Sequence, residues 1–362
     1  LINESRLVRT FLDLVAIDSP SGQERAIADE LARRFAALGG EVERDEYHNL
    51  IGRWPAVGRQ GDWLMLSAHM DTAGKDTGIK PQIRDGVIYS DGTTILGSDD
   101  KSGVAIILEI IRSLAEDGAA HPPLEVVITV SEELGLVGAK LLDKRRLRAR
   151  QGYILDSGGP LNHIVVSAPS QDRLTFVVRG RKAHAGAEPE KGINAIRVAS
   201  EAIAAMPLGR IDEETTANIG VIHGGVATNI VPDEVEVRGE ARSRNDEKLA
   251  RQTAAMVAAF DEAAARHSAQ VQVKIERSYN SYALTAETPV VAKAMAAMER
   301  IGLTPVLRAS GGGTDGNIYA EHGTLCAVLS TGMEEVHTNN EHIAIADMVA
   351  CARLLQSIIT EG

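Results

Sequence analysis

Only two cysteines occur in the 362 residues, Cys326 and Cys351, and both stand in apolar stretches without the spacing of a metal or redox motif. A disulfide scaffold is excluded, and buried free thiols in a reducing, cytoplasmic compartment are the expectation. No apolar run approaches the roughly 20 residues of a membrane span. Residues 3–9 are charged and amphipathic rather than built like a signal peptide, so membrane and secretory readings fall away. Positive charge is also short, with Lys+Arg 38 against Asp+Glu 50 and a net charge of −12. Such a balance argues against nucleic acid, whose phosphates need clustered cations. The surplus of acids then asks for its own explanation.

The length suffices for two domains and for a core that needs no staples. Leu7, Phe11, Leu14 and Val15 recur at helical spacing, Ser21-Gly22-Gln23-Glu24 has the pattern of a capping box, and Gly39-Gly40 stops a second helix. Short apolar runs at 63–68, 124–130, 152–155 and 325–329 read as strands, alternating with helical stretches at 103–114, 288–301 and 345–359. This alternation predicts an α/β fold with a mixed sheet between helices. From 171 to 282 the order becomes strand 174–181, helix 193–206, strands 218–223 and 230–243, helix 247–267 and strand 271–277. That is a ferredoxin-like β-α-β-β-α-β unit. The expected division is one domain of residues 1–170 plus 283–362 and an inserted domain of 171–282.

Five polar clusters fall at the predicted strand ends of the outer domain, where ligands of open α/β sheets bind. His69 and Asp71 are two apart, so in extended chain they point the same way, and the carboxylate can orient one imidazole nitrogen while the other binds metal. Asp99-Asp100 follows a glycine turn. Glu132-Glu133 follows the apolar run 124–130, and adjacent carboxylates at the end of a buried strand repel unless cations or protons compensate them. Asp156 repeats that logic after 153–155, and His337 adds a second imidazole. Each pattern has an ordinary reading as well: a surface His-x-Asp, a helix start at Asp99-Asp100, a strand-end cap at Asp156.

Taken together, His69-Met70-Asp71-Thr72, Gly97-Ser98-Asp99-Asp100-Lys101-Ser102-Gly103, Ser131-Glu132-Glu133-Leu134-Gly135, Asp156-Ser157-Gly158 and His337-Thr338 resemble, in order, the motifs of a known family. It is the family of dinuclear zinc peptidases and amidohydrolases that includes peptidase T, carboxypeptidase G, aminoacylase and succinyl-diaminopimelate desuccinylase. The resemblance implies two Zn²⁺ per subunit, with Asp99 bridging, His69 and Asp156 completing one site and Glu133 and His337 the other. Mn²⁺ or Co²⁺ would also suit such donors. Glu132 would be the general base and Asp71 the partner of His69.

The inserted domain has its own matches. Residues 180–186 resemble the family's Gly-x-x-x-His-Ala turn and residues 224–232 its Gly-Gly-x-x-x-Asn-x-x-Pro segment, which implies that His184 and Asn229 stabilise an oxyanion, often in the other subunit of a homodimer. Arg242 stands where relatives place a carboxylate-binding arginine, and a solvated strand-end arginine is the alternative. The string Ser310-Gly311-Gly312-Gly313-Thr314-Asp315-Gly316 lacks the lysine of a nucleotide loop and resembles a peptidase T segment, so Gly312, Gly313 and Thr314 are expected to wall the substrate site. Asp rather than Glu at 156 resembles the aminopeptidase and tripeptidase branch. The resemblance therefore implies an exopeptidase acting on small peptides. The alternatives are an N-acyl-amino-acid amidohydrolase or carboxypeptidase with the same metals, and an inactive zinc-stabilised binding module.

Overall fold

The strands Leu64–His69 and Leu124–Thr129 are buried along their whole length, which is the condition of a parallel strand with helices on both faces. In the computed structural model, which describes residues 1–361, they lie at the centre of a mixed sheet. Four parallel strands run in the order Leu124–Thr129, Leu64–His69, Gln151–Gly158 and Leu325–Glu334. Antiparallel neighbours extend the sheet on either side, Leu50–Trp54 and Glu41–Arg44 at one edge and His342–Ala344, Val87–Tyr89 and Gln82–Arg84 at the other. Because the four central strands point the same way, their carboxyl ends, and the residues that follow them, gather at one edge.

The chain divides into two compact units. The first comprises Leu1–Ser167, Ala283–Ser310 and the chain from Thr314 onward; the second comprises Ala168–Tyr282 with Gly311–Gly313. In the first, Leu7, Phe11, Leu14 and Val15 of the helix Glu4–Val15 are fully buried, as their spacing predicts. The helices Ser98–Asp117, Pro289–Arg300 and Ile345–Glu361 supply further buried faces. Cys326 and Cys351 are buried free thiols.

The second unit is an antiparallel sheet in the order Thr215–Gly224, Glu234–Ser243, Ser170–Arg179, Gln270–Tyr279, with the short Gly209–Arg210 at one edge. Helices Ala195–Ala205 and Asp246–His267 pack on it, and Phe176 stacks on Phe260 with ring centroids 3.9 Å apart. The strand expected from residue 230 begins at Glu234 instead, since Pro232 has no N–H for a ladder.

Ser21-Gly22-Gln23-Glu24 is not a capping box: the helix Arg25–Ala37 starts without a side-chain cap, and both polar residues bond elsewhere. The densest cationic stretch, 144–148, is engaged by the protein itself. Arg145 pairs with Asp143, Arg146 with Glu43, Lys144 donates to the Lys140 carbonyl, and Arg148 lies 5.0 Å over the Trp63 ring. No described helix is long and apolar enough to cross a membrane.

Candidate metal centre

His69 ends its strand, and the parallel register brings its neighbours level with it. His69 pairs with Thr129 and Ser67 with Ile154, so Asp156, two residues beyond Ile154, stands beside the imidazole, with Oδ1 3.7 Å from His69 Nε2. Asp156 lies inside the strand Gln151–Gly158 rather than past its end, because pairing with the neighbouring strand continues through Gly158.

Asp99 and Asp100 open the helix Ser98–Asp117 with non-helical backbone, φ −83° and ψ 105° at Asp99 and φ −120° and ψ 32° at Asp100. The peptide between them is cis. The two side chains take different partners. Asp100 turns inward, where its carboxylate accepts the amides of His69 and Gly103 at 3.2 Å each. Asp99 faces the histidines: Oδ1 lies 3.1 Å from His69 Nε2 and Oδ2 3.1 Å from His337 Nε2. Glu133 Oε1 lies 2.8 Å from the same His337 nitrogen. Gly97, just before, has φ +75°, and a Cβ there would meet Thr72 Cγ2 at 2.9 Å, so both conformation and space demand glycine.

Asp71 organises more than its neighbour. His69 Nδ1 lies 3.0 Å from the Asp71 carbonyl oxygen and 3.3 Å from Oδ1. The same carboxylate accepts the Glu132 amide at 3.0 Å, the Glu133 amide at 3.3 Å and the Ser21 hydroxyl at 2.7 Å. One buried acid thus orients an imidazole and the backbone of two further acids.

Crowded acids set the electrostatics. Burial pushes Glu132 well above the usual carboxylate range, and although His69 opposes the shift, Asp315, Glu133 and Asp99 add to it. Burial and then Asp99 do the same to Asp156. Asp99 is held low despite its burial because His337 and His69 both bond to it. His337 is pushed up to about 10 by Asp99 and Glu133. Burial opposes a proton on His69, yet Asp71, Asp99 and Asp156 outweigh it and hold that imidazole well above its ordinary value.

These donors fit divalent cations. His69, Asp99 and Asp156 form one group and Asp99, Glu133 and His337 another, each with its ligand atoms within 4.8 Å of one another. Ligands roughly 2.0–2.1 Å from a tetrahedral ion stand about 3.3 Å apart, and the distances of 2.8–3.7 Å found here surround that value. The set mixes imidazole with carboxylate, the chemistry that zinc and its neighbours prefer. Positive charge among these acids would counter the burial and the repulsion that raise Glu132 and Asp156.

The remaining expected site residues lie elsewhere in the chain. His184 and Asn229 are brought together in the second unit: Ile230 bridges to His184, and the Ala185 amide donates to the Asn229 carbonyl at 3.0 Å. His184 Nδ1 accepts the amides of Gly186 and Ala187 at 3.2 and 3.1 Å, so in the neutral ring Nε2 carries the proton. Arg242 gives two of its guanidinium nitrogens to Glu240, at 2.8 and 3.0 Å. Thr314 caps the helix Asp315–Glu321, its hydroxyl accepting the Gly316 amide. At Gly313 a Cβ would lie 2.4 Å from the Tyr279 ring, while Gly312 is half-buried beside it.

Sequence reasoning missed several buried polar residues around the centre. Glu341 receives the backbone ahead of Asp99, Glu24 holds Ser131, and Lys101 donates to the Ile17 carbonyl at 2.7 Å. Asp315 accepts from Thr129 at 2.5 Å. Glu341 is four residues from His337 and Lys101 two from Asp99, a spacing that could have flagged both.

Residues 65–361 match the family model described as peptidase family M20/M25/M40. The uncharacterized protein YqjE of Bacillus subtilis is 44% identical over the full length of both chains. Among solved structures, an aminopeptidase PepT from Bacillus cereus is 46% identical with a TM-score of 0.90 over 99% of each chain. A tripeptidase from Staphylococcus aureus is 40% identical with a TM-score of 0.94, covering 99% of this chain and 98% of that one.

Proposed function

We propose, for a chain that belongs to peptidase family M20/M25/M40, the activity of a metal-dependent, peptidase T-like aminopeptidase that removes the N-terminal residue from small peptides, tripeptides first among them. The observation that carries the chemistry is the carboxylate of Asp99, which turns one oxygen to each of two histidines. The likeness to an aminopeptidase and a tripeptidase along nearly the whole chain supports the substrate class.

In this proposal two divalent cations, zinc by preference, would be held by His69, Asp99 and Asp156 and by Asp99, Glu133 and His337. When bound, such ions polarise the scissile carbonyl and lower the pKa of a water towards about 7. The protein's own residues do the rest. Asp71 fixes the His69 ring and the amides of Glu132 and Glu133. Glu132, whose burial raises its proton affinity, takes the proton of the attacking water and returns it to the leaving amine nitrogen.

His184, with Nε2–H free of the turn that engages Nδ1, and Asn229 donate to the developing oxyanion, a role worth roughly 3 kcal/mol for one preorganised donor. In this reading Gly312, Gly313 and Thr314 wall the substrate, and Arg242 binds its carboxylate. A homodimer through the second unit completes the proposal. Its support is the edge strand Thr215–Gly224, which pairs with Gly209–Arg210 only at Thr216 and Ala217 and leaves Val221 and Ile222 exposed.

The test is hydrolysis of a free-amine tripeptide, its N-acetylated form and a dipeptide by metal-stripped protein, before and after zinc, manganese or cobalt is added. Metal-restored release of the N-terminal residue from the free tripeptide alone is the expected result. Cleavage of the acetylated compound instead would move the assignment to an amidohydrolase.

A further inference from the structure

The segment 17–24 carries none of the metal donors, yet it is fastened to three of the elements that do. Lys101 Nζ, two residues past Asp99, donates to the Ile17 carbonyl at 2.7 Å. Ser19 Oγ donates to the Met70 carbonyl, and the Thr72 amide donates to the Ser19 carbonyl, both at 2.9 Å. Ser21 bonds to Asp71. Glu24 reaches the third element, the turn before Glu132.

Glu24 is buried, and one of its oxygens, Oε1, accepts three hydrogen bonds: from the Ser131 amide at 2.9 Å, the Ser131 hydroxyl at 2.7 Å and the Gly22 amide at 2.8 Å. The Gly22 amide is shared with Ser131 Oγ at 3.1 Å. Ser131 has φ +49°, a left-handed conformation that a side-chain-bearing residue rarely adopts. Strained backbone of this kind persists only where its surroundings over-determine it, and it concentrates at functional sites. The next residue is Glu132. The turn at Ser131 therefore decides the direction in which Glu132 and Glu133 leave the buried strand.

We infer that Glu24 is a positioning residue for the general base, acting through Ser131. The carboxylate gives up the helix cap that its sequence pattern suggests and instead holds the serine in its left-handed conformation, so that the Glu132 and Glu133 amides meet Asp71. The inference rests on the assignment of Glu132 as base in the proposed function.

Because the three donors converge on a single oxygen, a carboxamide can replace the carboxylate. Glu24→Ala, Glu24→Gln, Ser131→Gly and Glu132→Ala proteins are compared for kcat and KM on the free tripeptide, for bound metal by elemental analysis, and for melting temperature. Glu24→Ala lowers kcat by about 100-fold, the scale of an ångström's misplacement, with KM unchanged and, because Glu133 is also held by its contact to His337 and metal is supplied in excess, with metal content unchanged. Glu24→Gln restores kcat to within a few-fold of the parent.

Ser131→Gly removes the hydroxyl and lets the turn wander; it lowers kcat while the melting temperature holds, which keeps the test open if Glu24→Ala does not fold. The inference is overturned by parental kcat in Glu24→Ala or Ser131→Gly, by failure of Glu24→Gln to rescue, or by metal lost in step with activity. Parental turnover in Glu132→Ala would instead overturn the base assignment, and the inference with it, and that variant alone tells the two failures apart.

Discussion

Glu341 holds the backbone of Asp99: its Oε1 accepts the Asp99 amide at 3.1 Å and the Ser98 hydroxyl at 2.6 Å, while Oε2 accepts the amides of Leu96 and Gly97 at 2.9 Å each. The Glu341 amide in turn donates to the Thr338 carbonyl, next to His337. A single buried carboxylate thus joins the segment of the shared acid to the segment of the second histidine. Groups that orient metal ligands in this way matter nearly as much as the ligands.

Glu341→Ala is expected to weaken metal binding by about 10–100-fold. Competition against a chromophoric chelator measures this directly. Unchanged affinity would mean that the helix entry keeps Asp99 in place unaided.

Metal binding should release protons. Asp99 and Glu133 push His337 up to about 10, and His69 also stays well above its ordinary value despite the burial that opposes its charge. Near neutral pH both metal-free imidazoles are therefore protonated, whereas a ligand nitrogen must be neutral. Apparent affinity accordingly rises with pH up to about 10, where His337 gives up its proton. Calorimetry in two buffers of different ionisation enthalpy reads the release, and a binding heat independent of buffer would show the histidines neutral beforehand.

Glu132→Ala should lower kcat by about 10²–10⁴, the usual worth of a general base, while elemental analysis finds its metal content unchanged. Asp71→Ala should lose both activity and metal, since that residue serves His69 and the amides of Glu132 and Glu133 together. A metal-free Glu132→Ala protein would place Glu132 among the ligands.

Gly313→Ala drives a methyl to within 2.4 Å of the Tyr279 ring, and Tyr279 is buried. Overpacking of this kind costs about 1–3 kcal/mol, visible as a lower melting temperature and softened by a smaller residue at 279. Lost activity at an unchanged melting temperature would instead tie Gly313 to the substrate.

The central strands were legible because buried parallel strands announce themselves as near-continuous apolar runs, as at 124–130, where Glu125 is the one charged residue and is buried against Arg53. The hairpin Gln82–Arg84 and Val87–Tyr89 was not, since strands of three residues at a sheet edge carry little apolar pattern. Ser21 and Glu24 matched a helix cap by spacing yet bond elsewhere, while Thr314 caps the helix Asp315–Glu321 without having been read as a cap. Local patterns state what a side chain can bond to; the partner within reach decides what it does bond to.

By itself, the sequence determined which donors this protein has and in what order, because imidazoles and carboxylates that follow apolar runs must emerge at the carboxyl ends of strands. Only the tertiary structure decided how the paired acids divide their work. Asp99 faces two histidines while Asp100 turns to backbone amides, and Glu24 and Glu341 spend their charge on the turns that aim other residues. The long-range hydrogen bonds among these span separations from 30 residues, between His69 and Asp99, to 245, between Leu96 and Glu341, far beyond the period of any helix or strand, and they exist only once parallel pairing has set the strand ends side by side.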